Sequence, residues 1–458
     1  MITYQDFLRE DAQGRRLDVI RRIIAAHTSS AAYKMARDAD EYDRQRNVTI
    51  YNFVRTILSA TGEKIIDTVA ANNRIASNFF RRLNVQRNMY SLGNGVTFAK
   101  DKTKEKLGVG FDEVLRKAGY AALIHGTAFL FWNVDRAHVF RLTEFAPVWD
   151  EIDGALCAGV RFWRLDAEHP LTAVLYTPDG YETYTEIDGE LTLQEPMQRY
   201  RQTVVSAPAM GEMVIGGSNY SRLPIFPLWG SELHQSTLVG MQQSIDSFDM
   251  IRSGFANDLS DCAQIYWIIK NAGGMNEADL AHFREKLMYR HIAQVSNADE
   301  NDIQPYTQEI PFEARSAYLD RIRAGIYEDF GALDVSSISA AAKTATEINA
   351  AYQPLDENAD DFEYQIIDCV TAILGLLGVT GDDAIPLFKR NRIANQLEQT
   401  TMVLSAANYL DDEAVLDKLP WITSDEAAEI LARKDAEDME RMQMVPAAGR
   451  TAPEDDGV

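Results

Sequence analysis

Seven histidines and three cysteines are the residues of this 458-residue chain best suited to hold a metal or form a nucleophile–base pair, and none stands at a working spacing. There is no His-Glu-x-x-His, no Cys-x-x-Cys, no Gly-x-Ser-x-Gly elbow and no Gly-Lys-Ser/Thr phosphate loop. His125 and His138 lie in apolar runs, where a histidine is more often a hydrogen-bonded core residue than a catalyst. Asn297, Asp299 and Asn301 alternate as in a calcium loop, but Asp302 stands where glycine is needed and Gln308 where a bidentate glutamate is needed, which excludes that site. Leu-Gly-Asn-Gly-Val at 92–96 is a turn before a strand rather than a phosphate cradle. Arg74, Arg81, Arg82 and Arg87 interleave with Phe79, Phe80 and Tyr90. That mixture suits a single-strand binding surface, or a helix that buries its rings while the arginines reach for water; the second reading is adopted. Carboxylates are plentiful, yet no pair for acid–base or two-metal work can be read from their order. No catalytic, cofactor-binding or metal-ligating residue is assigned, and no enzymatic activity is expected.

The formal charge of −24, on a chain with 46% apolar and 25% charged residues, describes a folded and strongly acidic protein. It argues against a protein that grips nucleic acid over most of its surface, because each phosphate contact calls for Lys or Arg. Cys157, Cys262 and Cys369 offer no disulfide framework and suggest a reducing interior. The start, Met-Ile-Thr-Tyr-Gln-Asp-Phe-Leu, lacks the basic and apolar segments of a signal peptide. The apolar runs Tyr120–Trp132 and Val370–Val379 fall short of the ~20 residues that span a bilayer. A soluble cytoplasmic protein without membrane contact is expected.

The elements that would position any site are of mixed α+β class. Residues 1–90 read mostly helical, with stripes at Leu17, Ile20, Ile23 and Ile24 and at Phe53, Ile57 and Leu58. A helix follows over Asp112–Leu123, and Thr127 to about Val205 alternates as an antiparallel sheet with turns at 178–180 and 187–190. The most informative stretch is Leu223–Phe330. A proline-bounded strand, Leu223–Trp229, leads into a helical stripe of Leu238, Met241, Ile245, Phe248, Ile251, Phe255 and Leu259. A strand-like run at Ile265–Ile269, a helix over Asn276–Tyr289, a strand at His291–Val295 and a turn at Ser296–Asp302 come next. A second helix then begins after Pro311, with Leu319, Ile322, Ile326 and Phe330 on one face. Ser336–Tyr352 is an alanine-rich helix. From Thr344 through Phe388 there is no Lys or Arg, against nine acids. Helices are expected over 361–377, 388–410, 413–419 and 424–441, and disorder over Pro446–Val458.

The order of these elements resembles the portal proteins of tailed bacteriophages, in the branch typified by Bacillus siphophages. The resemblance covers about residues 50–410. It rests on the Gly-Asn-Gly-Val entry before Phe98, on Leu223–Trp229 followed by Ser244-Ile-Asp-Ser-Phe-Asp, and on Ser253 with Ala256-Asn-Asp-Leu. Glu309–Arg315, Ile326–Phe330 and Lys343-Thr-Ala-Thr-Glu-Ile carry the remainder. The resemblance implies a ring, usually dodecameric, at one capsid vertex, through which double-stranded DNA is packaged by the terminase and later ejected. It implies a wing over 1–230, a first stem helix over 231–262, a clip over 263–309 and a second stem helix over 310–332. A tunnel helix or loop over 333–355, a wing return and helical crown over 356–441, and a disordered acidic tail over 442–458 complete the layout. By the same resemblance Ile245, Phe248, Phe255, Leu319, Ile322 and Ile326 are stem packing residues. Trp267, Tyr289 and Tyr306 are clip interface residues, and Lys343, Thr344, Thr346, Glu347 and Asn349 line the DNA channel. Many relatives have a Ser-Gly-x-Ala-Leu-Lys-like sequence where this chain has Lys-Thr-Ala-Thr-Glu-Ile. The base-free acidic zone would be a wall that repels DNA. Implied partners are further copies of the chain, the terminase large subunit, a head-completion adaptor, the major capsid protein and a scaffold protein. The setting is the virion, with assembly in the host cytoplasm and no cofactor. The competing readings are another head–tail joining protein and a metal-dependent nuclease.

Overall fold

The computed structural model describes residues 2–261 apart from 59–62, 68–70 and 208–210, then 266–269, 303–306, 311–335 and 345–391, with isolated positions at 278–279, 282, 403, 405, 407, 411–417, 419 and 430–434. The chain forms two compact units, residues 1–334 with 352–391, and residues 335–351 with 392–458.

The first unit is organised around the strand with the most continuous apolar sequence. β4 (Thr127–Asn133, TAFLFWN) is buried at every position but its last, because both of its faces are covered. It is the middle strand of a three-stranded antiparallel sheet between β5 (Arg136–Arg141) and β13 (Ile225–Trp229), with Leu130 opposite Val139 on one side and Phe226 on the other. Helix α7 (Phe111–His125) packs against this sheet. It ends at Gly126, where φ is 88° and an added Cβ would come within 2.7 Å of the Gln235 backbone, so only glycine lets the chain turn here into β4. Rings from a second sheet cover the opposite face: Phe129 lies 4.6 Å from Phe145, and Phe131 lies 5.2 Å from Tyr176.

That second sheet is an antiparallel meander, β6 (Phe145–Trp149), β7 (Leu156–Trp163), β8 (Thr172–Thr177), β9 (Gly180–Ile187) and β10 (Glu190–Gln198). Helices α1 (Tyr4–Ala12) and α2 (Arg16–Ser29) contribute Phe7, Val19, Ile20 and Ile23 to a core shared with Ala158, Val160, Leu175 and Tyr184. A hairpin of β11 (Arg201–Ala207) and β12 (Gly211–Ser218) continues the antiparallel region beyond the expected limit near Val205.

Helix α3 (Ala31–Asp43), the short α4 (Val48–Tyr51) and α5 (Phe79–Leu92) enclose a third core, where Tyr42, Phe79, Phe80 and Leu83 meet Ile245, Ile326 and Phe330. α6 (Asp101–Lys106) precedes α7. The two long helices are α8 (Gln242–Asp261) and α9 (Phe312–Phe330).

Four expectations need correction. Ile57 and Leu58 are not helical: they lie in β1 (Thr56–Leu58), paired with β2 (Lys64–Ile66), where β-branched residues suit a pleated strand. The helix placed over Arg74–Met89 begins only at Phe79, and Arg87 on it is buried rather than solvated. Phe388 does not open a helix, since β16 (Leu387–Phe388) pairs with β3 (Val96–Thr97), just after the Gly-Asn-Gly turn. The alanine-rich helix and the one expected over 361–377 are a single helix, α10 (Ala345–Leu376), with Pro354 inside it. Proline there removes one backbone donor, while burial of Tyr352, Leu355, Ala359 and Phe362 holds the helix to its unit. Of the second unit the structure describes the first turns of α10 and α11 (Asp412–Asp417), the latter within the expected 413–419 helix. The segments expected as helices over 276–289 and 424–441, the strand 291–295 and the acidic tail lie largely or wholly outside the described residues.

Gly159 on β7 lies beneath Phe145, and a Cβ there would stand 2.1 Å from the ring. Gly159→Ala is expected to destabilise the sheet by about 1–3 kcal/mol through overpacking, read as a lower unfolding midpoint, with no such loss on the control Gly325→Ala, a helical glycine with open space at its Cβ.

Candidate functional site

The long helices carry the residues singled out from sequence, and α8 changes character along its length. Met241, just before it, and Ile245 are buried among Phe80, Leu83 and Phe330. The same face, continued at four-residue steps, is Asp249, Ser253 and Asn257, also buried but polar. Each of these side chains accepts a hydrogen bond from a backbone amide of segment 73–77. Ser77 donates to Asp249 Oδ1 at 2.8 Å, Ile75 to Ser253 Oγ at 3.0 Å and Asn73 to Asn257 Oδ1 at 2.6 Å. The match is one of periods. Two residues of an extended chain advance about 6.6 Å and four helical residues about 6 Å, so alternate amides meet successive turns. Asn47 Nδ2 also donates to Asp249, while Tyr42 and Thr49 donate to Asp246 on the neighbouring face. Burial raises the Asp249 carboxyl above its ordinary value, against the bonds from Asn47 and Ser77 that favour its charge.

α9 packs antiparallel-fashion in sequence order against α8, with Phe79 between them at 5.0 Å from Phe248 and 6.2 Å from Tyr327. Further along, Arg315 of α9 pairs with Asp258 of α8, and Phe312 lies 5.5 Å from Phe255. Arg323 holds Asp334 at 3.1 Å, beyond the end of α9. Of the six expected packing residues, Ile245 and Ile326 are fully buried, Phe248 and Ile322 pack at the edge of the same core, Phe255 meets Phe312, and Leu319 is half-buried. The ends of the pair away from that core leave large apolar groups in solvent: Leu259 is 55% exposed, Phe312 60% and Tyr318 50%.

The segment joining α8 to α9 contains one described pairing, β14 (Tyr266–Ile269) with β15 (Ile303–Tyr306), in which Tyr266 stands opposite Tyr306 and Trp267 opposite Pro305. Trp267 and Tyr306 are thereby brought to adjacent register positions, while Tyr289 lies outside the described residues. Lys343 and Thr344 lie outside them too; Thr346, Glu347 and Asn349 fall in the first turns of α10, with Glu347 and Asn349 exposed.

The acidic zone takes a different part from the repelling wall expected of it. Arg390 bonds Asp356 at 3.0 Å and Glu363 at 2.8 Å and also pairs with Asp360, three acids on successive turns of α10. Those bonds, Glu363 first, raise the already basic Arg390 further. Tyr90 donates to Asp356, Lys100 meets Asp383 at 2.6 Å, and Arg87 donates to the Asn358 carbonyl at 2.8 Å near Asp361. Burial holds the Arg87 guanidinium down to about 10, so it stays cationic at neutral pH. Much of the zone is thus internal wiring of one unit. Sequence reasoning missed both this anchor and the Asp249–Ser253–Asn257 ladder; the signal for the ladder was a run of short polar residues at four-residue spacing beside the apolar stripe.

Among the described residues no group of three His, Cys, Asp or Glu side chains could hold a metal ion, and no helix is long and apolar enough to cross a membrane.

Ser253→Ala leaves the Ile75 amide without its acceptor, at a cost of about 1–3 kcal/mol; faster hydrogen exchange of amides 73–77 is expected, with Ser253→Thr close to wild type. For Asp249 the neutral form is the one the fold favours, so its stabilising contribution is full below the unfolded carboxylate pKa and declines as pH rises through its raised folded value. Urea unfolding of Asp249→Asn against wild type should show the difference moving in favour of the variant as pH rises across that window.

The family described as "Phage portal protein, SPP1 Gp6-like" matches residues 31–440. The chain is similar to the portal protein of Clostridium phage phiCD119, 24% identical over 392 residues that make up 79% of this chain and 84% of the relative. It is also similar to the portal protein of Bacillus phage SPP1, 26% identical over 333 residues, 68% of this chain, and it spans 63% of that relative's length. Among solved structures, a chain in the virion of a native gene transfer agent particle is 14% identical, with a TM-score of 0.38 and coverage of 81% of this chain and 97% of the other. A chain in the neck of an empty gene transfer agent particle is 14% identical, with a TM-score of 0.40 and coverage of 74% and 88%.

Proposed function

This chain belongs to the SPP1 Gp6-like phage portal proteins, and from that premise we propose how its helices build the DNA conduit. It is a structural subunit of a portal vertex, the passage for double-stranded DNA into and out of a capsid. The particular reading is a closed homo-oligomeric ring, dodecameric, in which α8 and α9 are the stem.

The observation that carries this reading is the exposed apolar end of the helix pair, at Leu259, Phe312 and Tyr318. These groups lie on helices already fixed at their other end by the third core and cross-linked by Arg315 and Asp258. Such a stem is rigid enough to present one flank to a neighbour. In a head-to-tail ring each subunit offers that flank to the next, and closure leaves no flank unmatched. Aromatic groups are apt anchors for such contacts.

The division into wing (1–230), stem (231–262 and 310–332), clip (263–309), tunnel segment (333–355) and crown (356–441) is carried forward with one adjustment, that tunnel segment and wing return share α10. The clip, with Trp267, Tyr289 and Tyr306, is the docking zone for the terminase large subunit and the head-completion adaptor. The wing meets the capsid and a scaffold protein, in the virion after assembly in the host. Lys343, Thr344, Thr346, Glu347 and Asn349 face the channel. A channel must let DNA slide, and every neutralised phosphate adds affinity that would stall it. The net charge of −24 supports weak contact overall, a better basis than an acidic zone engaged by Arg390.

Phe312→Glu and Tyr318→Glu should leave the subunit folded by circular dichroism and shift it from ring to monomer in sedimentation; rings that persist in both variants would contradict the stem assignment. Lys343→Glu should alter packaging yield or DNA retention while rings still form, and an unchanged yield would count against a channel role for that residue.

A further inference from the structure

We propose that the cleft enclosed by α3, α5 and α7 binds a phosphoryl oxyanion. Its volume is about 260 Å³, room for a phosphate on a small body rather than for a large ligand. The chain is strongly acidic, yet this cleft is lined by two more cations than carboxylates: Arg81, Arg116, Lys117 and Arg141 against Asp40 and Asp43.

Both carboxylates are already engaged. Asp43 accepts from Tyr120 and has Arg81 at 3.5 Å, and Asp40 meets His125 Nε2 at 2.9 Å. Lys117 turns to Glu113 at 2.6 Å. Arg116 and Arg141 are left: among the described residues neither guanidinium has an ion pair or hydrogen bond, and Arg141 acts on Asp40 only through space. They approach from different elements, α7 and the end of β5, so two planar donor forks converge on one space.

His125 also lines the cleft; its side chain is 2% exposed and its Nε2 meets Asp40, so one Asp40 oxygen is already engaged by the ring. Val85, Met89 and Ile124 supply apolar walls that exclude water from the anion's flank and strengthen its pairing. The phosphoryl group has two available sources, a small phosphomonoester or the backbone of DNA.

The test is calorimetric titration of the full-length protein with inorganic phosphate at constant ionic strength. One saturable site per chain is expected, with affinity at least tenfold lower in Arg116→Gln and in Arg141→Gln and unchanged in Lys102→Gln, a cation outside the cleft. Arg141 is exposed, so its variant keeps the fold even if that of Arg116 does not. Failure to saturate, or an equal loss in Lys102→Gln, would overturn the proposal. A short DNA duplex that displaces phosphate from the wild type identifies the backbone as source, and one that leaves phosphate bound identifies a small phosphomonoester.

Discussion

Every fourth residue from Met241, just before α8, to Asn257 is buried, yet the last three of these are polar, and the arrangement of the first unit follows from how they are satisfied. Asp249, Ser253 and Asn257 can be buried only if donors are brought to them, and the donors are alternate amides of residues 73–77. That requirement pins the chain between α4 and α5 against α8 and fixes where α5 begins. Phe79, its first residue, then enters between α8 and α9 and sets their separation at the base. The long helices are therefore anchored by one apolar core and one polar ladder. Among the described residues, their far ends are joined by the Arg315–Asp258 pair and the Phe255–Phe312 contact. A helix pair embedded at one end and apolar at the other is suited to being completed by a neighbour.

Charge follows a similar logic. In a chain with 24 more formal negative than positive charges, cations are scarce, and the structure spends buried or half-buried ones on internal joints. Arg390 gathers three carboxylates of α10, and Arg87 reaches the same helix from α5. Tyr90, stacked 5.9 Å from Tyr352 and bonded to Asp356, adds a third tie. The net excess of acid over base disfavours adhesion to DNA. A portal subunit needs that property along its passage more than it needs any one repelling patch.

Much of the fold was legible. The unbroken apolar run of β4, the proline-bounded β13 and the start of the α8 stripe as far as Ile245 each match a period that burial imposes, and the order of motifs gave the family. Other features were hidden for identifiable reasons. Ile57, Leu58 and Phe388 fit an apolar helical stripe as readily as a short strand by spacing alone, and their partners, β2 and β3, decide. Pro354 reads as a helix stop, yet the apolar face around it keeps α10 whole. Asp249, Ser253 and Asn257 lie beside the apolar stripe read over Phe248, Ile251 and Phe255, and a single sequence does not show that distant amides will meet them. Arg390, separated from its acids by a turn and a strand, gave no local signal at all.

The central claim is that this chain closes into a ring with an axial passage, and direct imaging of the purified full-length protein by electron microscopy tests it. The account predicts uniform closed rings, twelve subunits in end-on view, with a hole wide enough for duplex DNA. Monomers, open chains of variable length, or particles without an axial hole would contradict it.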